Sequence, residues 1–271
     1  MADAPTFPSL DLPVFAAGSV WLVGAGPGDP GLLSLLALHA LQHADSVVYD
    51  ALVDPRILAL ARPGATLDYA GKRGGKPSPQ QPDITRRLIR LAEAGQRVLR
   101  LKGGEPCVFG RGGEEALALH AAGIPFRVVP GITAAIGGLA YAGIPATHRD
   151  INSAVAFVTG YASDGQVPDG LDWAALAKGA PVLVLYMALK HIEPIARRLI
   201  AGGRSADDPV AVVSKATTPQ QRVLETTLAR AAADVAASGI EPPAIVAIGA
   251  AVRRLPSLEW LGALAGGAPP G

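Results

Sequence analysis

Residues 20–31 read VWLVGAGPGDPG. The first four form a short apolar run of branched and aromatic side chains, which predicts a buried strand. A glycine and proline turn follows, and the apolar residues 32–41 (LLSLLALHAL) behind it predict a helix. Working outward, the same order recurs. Strands are predicted at 20–23, 46–49, 66–69, 98–101 and 126–129, with helices at 84–94 and 114–122. Pro82 stands near the first turn of the former helix, and Gly95 and Gly123 stop the two helices. Strands alternating with helices imply an α/β fold with a largely parallel sheet covered on both faces.

At residues 129–133 the sequence reads VPGIT, where Pro130 and Gly131 stop a strand. A buried helix is predicted over 132–141, closed by Gly143. A second series follows, with strands at 154–158, 182–186, 210–213, 222–226 and 244–248 and helices at 191–200 and 228–237. No helix is predicted between 213 and 222, so the strand directions of this half are expected to be mixed. The expected organisation is a loose arm over 1–18, an α/β domain over 19–129, a second α/β domain over 130–255 and a tail over 256–271.

Composition narrows the functions. A chain of 271 residues admits two modest domains or one large one. Lysine and arginine total 24 against 23 acidic residues, a net charge of +1, which gives no field to attract nucleic acid. Aromatic residues are 5%, too few for a base-stacking platform. Cys107 is the single cysteine, so an internal disulfide or a cysteine-based zinc site is excluded. His39, His43, His120, His148 and His191 show no ligand spacing, and no metal site is expected. The first basic residue is Arg56, so the start of the chain lacks the basic region of a secretory signal. Residues 128–148 contain no charged side chain, but Pro130, Pro145 and four glycines interrupt them, and no membrane span is expected. These features fit a cytoplasmic protein.

The loops carry the chemistry. Gly26, Gly28 and Gly31 satisfy the spacing G-x-G-x-x-G after a strand, and Asp50 lies 24 residues beyond Gly26. That is most of a dinucleotide-binding pattern. However, Pro27 and Pro30 lack the N–H groups that such a loop aims at a pyrophosphate. A dinucleotide-binding oxidoreductase or NAD-sensing module is therefore the alternative from a different class. A second glycine-rich loop, residues 102–115 (KGGEPCVFGRGGEE), also follows a strand and precedes a helix. It lacks the Gly-Lys-Ser/Thr end of a phosphate-binding loop. Two such loops at the carboxyl ends of strands imply a ligand crevice. Residues 71–79 (GKRGGKPSP) form a basic loop, either solvated or a clamp for carboxylate or phosphate groups.

Longer motifs then align in order: LVGAGPGDPGLLS, YDALV, GKRGGKPSPQ, RLKGGEPCVFGRGGEE, VPGITAAIGGLAYAGIPATHRD, YMALKHI and ATTPQQ. Together they resemble the tetrapyrrole methylase family, over roughly residues 20–253. GKRGGKPSPQ, FGRGGEE and GIPATHRD resemble the members that act on uroporphyrinogen III, and a later corrin-pathway methylase is the nearer alternative.

The resemblance implies two α/β domains of the class III methyltransferase type, with an active-site cleft between them, and a homodimer. It implies S-adenosylmethionine as methyl donor, no metal, and methylation of uroporphyrinogen III at C2 and C7 to precorrin-2, toward sirohaem, cobalamin or haem d1. It places the donor against Pro27, Gly103, Gly104, Glu105, Val108, Thr133, Ala134, Met187 and Ala216. It makes Asp50 a proton acceptor and Lys72 a proton donor, and turns Arg111, Glu114 and Arg149 toward the macrocycle. Asp50, Glu114 and Arg111 all remain candidates for the base, although an arginine deprotonates only in an unusual environment. Two positions depart from the family pattern: Glu105 stands where aspartate is usual, and Cys107 where phenylalanine is usual.

Overall fold

The structure, a computed structural model, describes residues 10–71, 81–162, 164–253 and 260, without the side chains of 81 and 82. Two compact units are present. One comprises residues 1–25 and 30–131, and the other residues 26–29 and 132–271.

The first unit is built on β1 (Val20–Gly24), β2 (Ser46–Tyr49), β3 (Thr66–Tyr69), β4 (Val98–Lys102) and β5 (Phe126–Val129). Their order is β3-β2-β4-β1-β5, and every neighbouring pair is parallel. Alternation along β1 explains why both faces need cover. Val20 and Leu22 enter one core with Ile84 and Leu88 of α3 (Gln81–Glu93) and Leu119 of α4 (Gly112–Ala121). Trp21 and Val23 enter the other, with Ala37, Ala40 and Leu41 of α1 (Leu35–His43). Side chains of successive strand residues point to opposite faces, so one strand seeds both cores.

The second unit carries β6 (Val155–Thr159), β7 (Val182–Tyr186), β8 (Pro209–Ser214), β9 (Arg222–Thr227) and β10 (Ala244–Ile248) in the order β6-β7-β10-β8-β9. β6 and β7 are parallel, whereas β10 runs antiparallel to both its neighbours and β9 antiparallel to β8. One face packs on Trp173 of α6 (Trp173–Gly179), Ile195 and Leu199 of α7 (Ile192–Ala201) and Ala231 of α8 (Ala231–Ser238). The other packs on Ala135 and Leu139 of α5 (Ala134–Tyr141). Among the described residues no helix is long and apolar enough to cross a membrane.

Several expected boundaries move, and α3 and α4 begin at Gln81 and Gly112, before the expected 84 and 114. The helix anticipated over 32–41 splits into a 3-10 turn, Pro30–Leu32, and α1 from Leu35, because the Ser34 hydroxyl accepts the Ala37 N–H and caps the helix there. The helix anticipated from 132 starts at Ala134. The one anticipated from 228 starts at Ala231, after a turn in which the Leu228 and Ala229 N–H groups donate to the Asp208 and Ala206 carbonyls. Two helices have no counterpart among the predicted elements: α6, and α2 (Pro55–Leu58), a single turn with Pro55 at its start and Asp54 as cap.

Candidate functional site

Three strand ends in the first unit meet without side chains. A Cβ placed on Gly24 would lie 2.5 Å from the Gly104 carbonyl oxygen and 2.6 Å from the Gly131 Cα. One placed on Gly131 would lie 2.3 Å from that same oxygen. These glycines end β1 and follow β4 and β5, three neighbouring strands, so their backbones abut. Gly104 itself has φ +71°, a conformation glycine adopts without strain. The next glycine is equally confined, since a Cβ on Gly103 would lie 2.5 Å from the Leu52 Cβ.

Asp50, just past β2, reaches this loop. Its Oδ1 accepts the N–H of Leu52 at 3.0 Å and of Gly103 at 3.4 Å. Its Oδ2 lies 3.8 Å from Arg100 Nη2. Arg100 and Lys102 alternate along β4 and point to the α4 side, where Glu115 receives both. Arg100 Nε donates to Oε1 at 3.0 Å and Lys102 Nζ to Oε2 at 3.1 Å. Glu115 is fully buried, and Arg100 and Lys102 are 3% and 4% exposed. Burial, and then the charge of Arg100, lower the Lys102 pKa against the opposing pull of Glu115. Two cations spaced two apart in the apolar strand VLRLK were the signal that sequence reasoning passed over.

Arg111 and Glu114 are brought together. Arg111 caps α4 in the left-handed conformation, φ +60°, and its guanidinium forks onto Glu114 at 2.9 and 2.6 Å. That pairing raises the Arg111 pKa and holds the Glu114 carboxyl below its usual range. Both side chains stay exposed. Glu105 Oε2 turns back to accept the Cys107 N–H at 2.6 Å, so the longer side chain closes its own loop. Val108 is half-buried beside it. Lys72 lies outside the described residues.

The remaining donor-site candidates gather around α5 in the second unit. Pro27 packs where a Cβ on Gly137 would be, 2.6 Å from its Cγ. The Ala216 Cβ stands 2.9 Å from the corresponding point on Gly138. Thr133 precedes α5 and does not cap it, because its hydroxyl pairs with Tyr186 Oη at 2.6 Å. Tyr186 Oη also accepts the Ala135 N–H at 3.1 Å, which ties Thr133 and Ala134 to the end of β7. Met187 follows, 49% exposed, at φ +54°. Lys215 and Thr217, after β8, share that left-handed conformation. Such strained residues in loops at strand ends are a mark of functional sites.

The first glycine loop is clamped by residues that no sequence motif singles out. Thr217 Oγ1 accepts the Asp29 N–H at 2.9 Å, and Tyr141 Oη donates to the Asp29 carboxylate. Gln221 joins them, accepting the Thr217 N–H at 2.7 Å and donating to the Tyr141 carbonyl at 3.0 Å. This geometry disfavours a pyrophosphate. The 3-10 turn separates the loop from α1, and the helix N-terminus is already capped by Ser34.

Arg149 sits on an exposed turn closed by paired backbones of His148 and Asn152. The Asn152 side chain builds that turn, accepting from His148 N–H and donating to the Ala146 and Ala154 carbonyls. Among the described residues, no hydrogen bond or ion pair holds the Arg149 guanidinium. Nor do three or more His, Cys, Asp or Glu side chains group there as metal ligands.

Comparison with known proteins bears on this arrangement. The profile of the Tetrapyrrole (Corrin/Porphyrin) Methylases matches residues 19–232. A uroporphyrinogen-III C-methyltransferase of a Sinorhizobium species is 66% identical over 255 residues, covering 94% of this chain and 91% of the relative. A siroheme synthase of Azotobacter vinelandii is 52% identical over 90% of this chain, which spans 52% of that longer protein. Among solved structures, the uroporphyrin-III C-methyl transferase of Thermus thermophilus in complex with S-adenosylhomocysteine superimposes with a TM-score of 0.74 at 43% identity. The match covers 87% of this chain and 99% of that one.

Proposed function

The chain belongs to the tetrapyrrole methylase family, and from that premise we propose that it methylates uroporphyrinogen III at C2 and C7 with S-adenosylmethionine, giving precorrin-2. The observation that carries this reading is the 66% identity to a uroporphyrinogen-III C-methyltransferase over 91% of its length. Sirohaem, cobalamin or haem d1 lies downstream in this reading, and the protein works as a cytoplasmic homodimer.

Bound S-adenosylmethionine supplies a sulfonium methyl group already activated for transfer. The protein's part is alignment, exclusion of water and management of one proton. Small residues suit alignment. Gly103 and Gly104 present backbone, while Pro27, Ala134 and Ala216 with Thr133 and Met187 give an apolar surface around the start of α5. Glu105 and Val108 complete the donor contacts from the second loop.

Alkylation of a pyrrole carbon leaves a cationic ring that must lose a proton. Asp50 is the acceptor in this reading. Glu114 is the weaker choice, because both of its oxygens already accept hydrogen bonds from the Arg111 guanidinium. Arg111, kept charged, serves with Glu114 and Arg149 to orient the polycarboxylate substrate, for which the guanidinium fork is well matched. Lys72 is the proton donor in this reading.

The test is incubation with enzymatically prepared uroporphyrinogen III and methyl-labelled donor. Two labelled methyl groups per macrocycle are expected. No incorporation, or incorporation only into later corrin precursors, overturns the assignment.

A further inference from the structure

We propose that Arg100 is a positioning residue for Asp50, and that Glu115 and Lys102 hold it in place for that role. The proposal rests on the reading of Asp50 as proton acceptor. Buried ion pairs stabilise a fold little better than apolar side chains of the same size. Stability alone therefore gives no reason for three buried charges between β4 and α4.

Their geometry gives one. Arg100 donates through Nε to Glu115 at 3.0 Å and through Nη1 to the carbonyls of Val48 at 3.3 Å and Leu101 at 3.2 Å. These bonds fix the plane of the guanidinium and leave Nη2 facing Asp50 Oδ2 at 3.8 Å. That distance is an ion-pair contact, too long for a hydrogen bond. Oδ2 is thus oriented by charge while its lone pairs stay available, as a proton acceptor requires. Among the described residues Oδ2 accepts no hydrogen bond, whereas Oδ1 is taken up by the Leu52 and Gly103 N–H groups. Lys102 closes the circuit. It holds the second oxygen of Glu115 at 3.1 Å and is followed in the chain by Gly103, whose N–H returns to Asp50. Two cations and two carboxylates thereby balance, and the carboxylate is tied to the loop assigned to the donor.

A double-mutant cycle on the full chain tests this. Arg100→Gln is expected to lower kcat about ten- to a hundredfold, through a displaced acceptor. S-adenosylhomocysteine affinity by calorimetry should stay within about threefold. Arg100→Lys, which keeps the charge without the fork, should recover part of the loss. The discriminating result is the double variant Asp50→Asn/Arg100→Gln, expected to be no slower than Asp50→Asn alone. If Arg100→Gln does not fold, Arg100→Lys takes its place in the cycle. Wild-type kcat in the Arg100 variants, or losses that add to that of Asp50→Asn, overturns the positioning role alone. Near-normal kcat of Asp50→Asn overturns the proton-acceptor reading, and this proposal with it.

Discussion

Tyr141 Oη donates a 2.7 Å hydrogen bond to Asp29 Oδ2, across 112 residues of chain. Burial and this bond push the Tyr141 phenol up to about 12, so it stays a donor throughout the physiological range. Together with Thr217 it sets the position of the loop that carries Pro27. A hydrogen bond to a charged group is worth about 1.5–3 kcal/mol. Tyr141→Phe is expected to weaken S-adenosylhomocysteine binding about tenfold in calorimetry, with an unchanged far-ultraviolet spectrum. Wild-type affinity would show that the loop keeps its place without the bond.

Asp50→Asn keeps the shape of the side chain and removes its ability to take a proton at neutral pH. Loss of a general base lowers turnover about 10²–10⁴-fold. Donor affinity should change little, because the asparagine side chain retains an oxygen for the Leu52 and Gly103 N–H groups. Paired kcat and calorimetric measurements separate the two effects.

Arg149→Ala should raise KM for uroporphyrinogen III about ten- to a hundredfold while leaving S-adenosylhomocysteine binding as it was. Arg149→Lys should restore only part of it. Arg111→Ala should act likewise and also release Glu114 from its fork. A collapse of donor binding in either folded Ala variant would move that arginine to the donor side.

Gly131→Ala should destabilise the first unit. The added Cβ meets the Gly104 oxygen at 2.3 Å and the Gly24 Cα at 2.7 Å, both backbone, so no flexible side chain can give way. Overpacking of this kind costs about 1–3 kcal/mol, which a thermal melt resolves. An unchanged melting temperature would mean that the strand ends slide apart freely.

The Asp45 carboxylate is one contributor to acid sensitivity. Hydrogen bonds from Arg97, against some burial, hold it well below the usual carboxylate range, and Arg62 adds charge. A depressed folded-state pKa means stabilisation that is present above the unfolded value and lost as pH falls through the folded one. Asp45→Asn should therefore lower the melting temperature most near neutral pH. The gap to wild type should begin to narrow below about pH 4. A gap that stays constant down to strong acid would show that the pairing is not the source.

All ten strand positions were legible in the sequence, most of them as short, largely apolar runs bounded by turn residues, with TLDY of β3 and RVLETT of β9 the least apolar. The expected mixed directions of the second half followed from the missing helix before β9. The place of β10 in the middle of its sheet was not legible, since nothing local to 244–248 says which strands it joins. The seven residues of α6 are too few for a helical period to stand out behind the glycines and aspartates that precede them. At the site, the glycine loops announced themselves, whereas Glu115 and Tyr141 did not. A buried glutamate reads in sequence like its exposed neighbour Glu114, and only the fold distinguishes them.

The central position of β10 has a consequence for biosynthesis. The first sheet holds all five of its strands once residue 129 has been made, whereas the second still lacks its middle until residue 248. Chains emerge N-terminal end first, and domains fold as units. Until the last strand arrives, β7 and β8 each present an unpaired edge where β10 will insert, and such edges invite pairing with other chains. The nascent protein thus passes through a stage with one finished sheet and one split in two. Premature termination a few codons before 244 would trap it there, with a chain prone to aggregate.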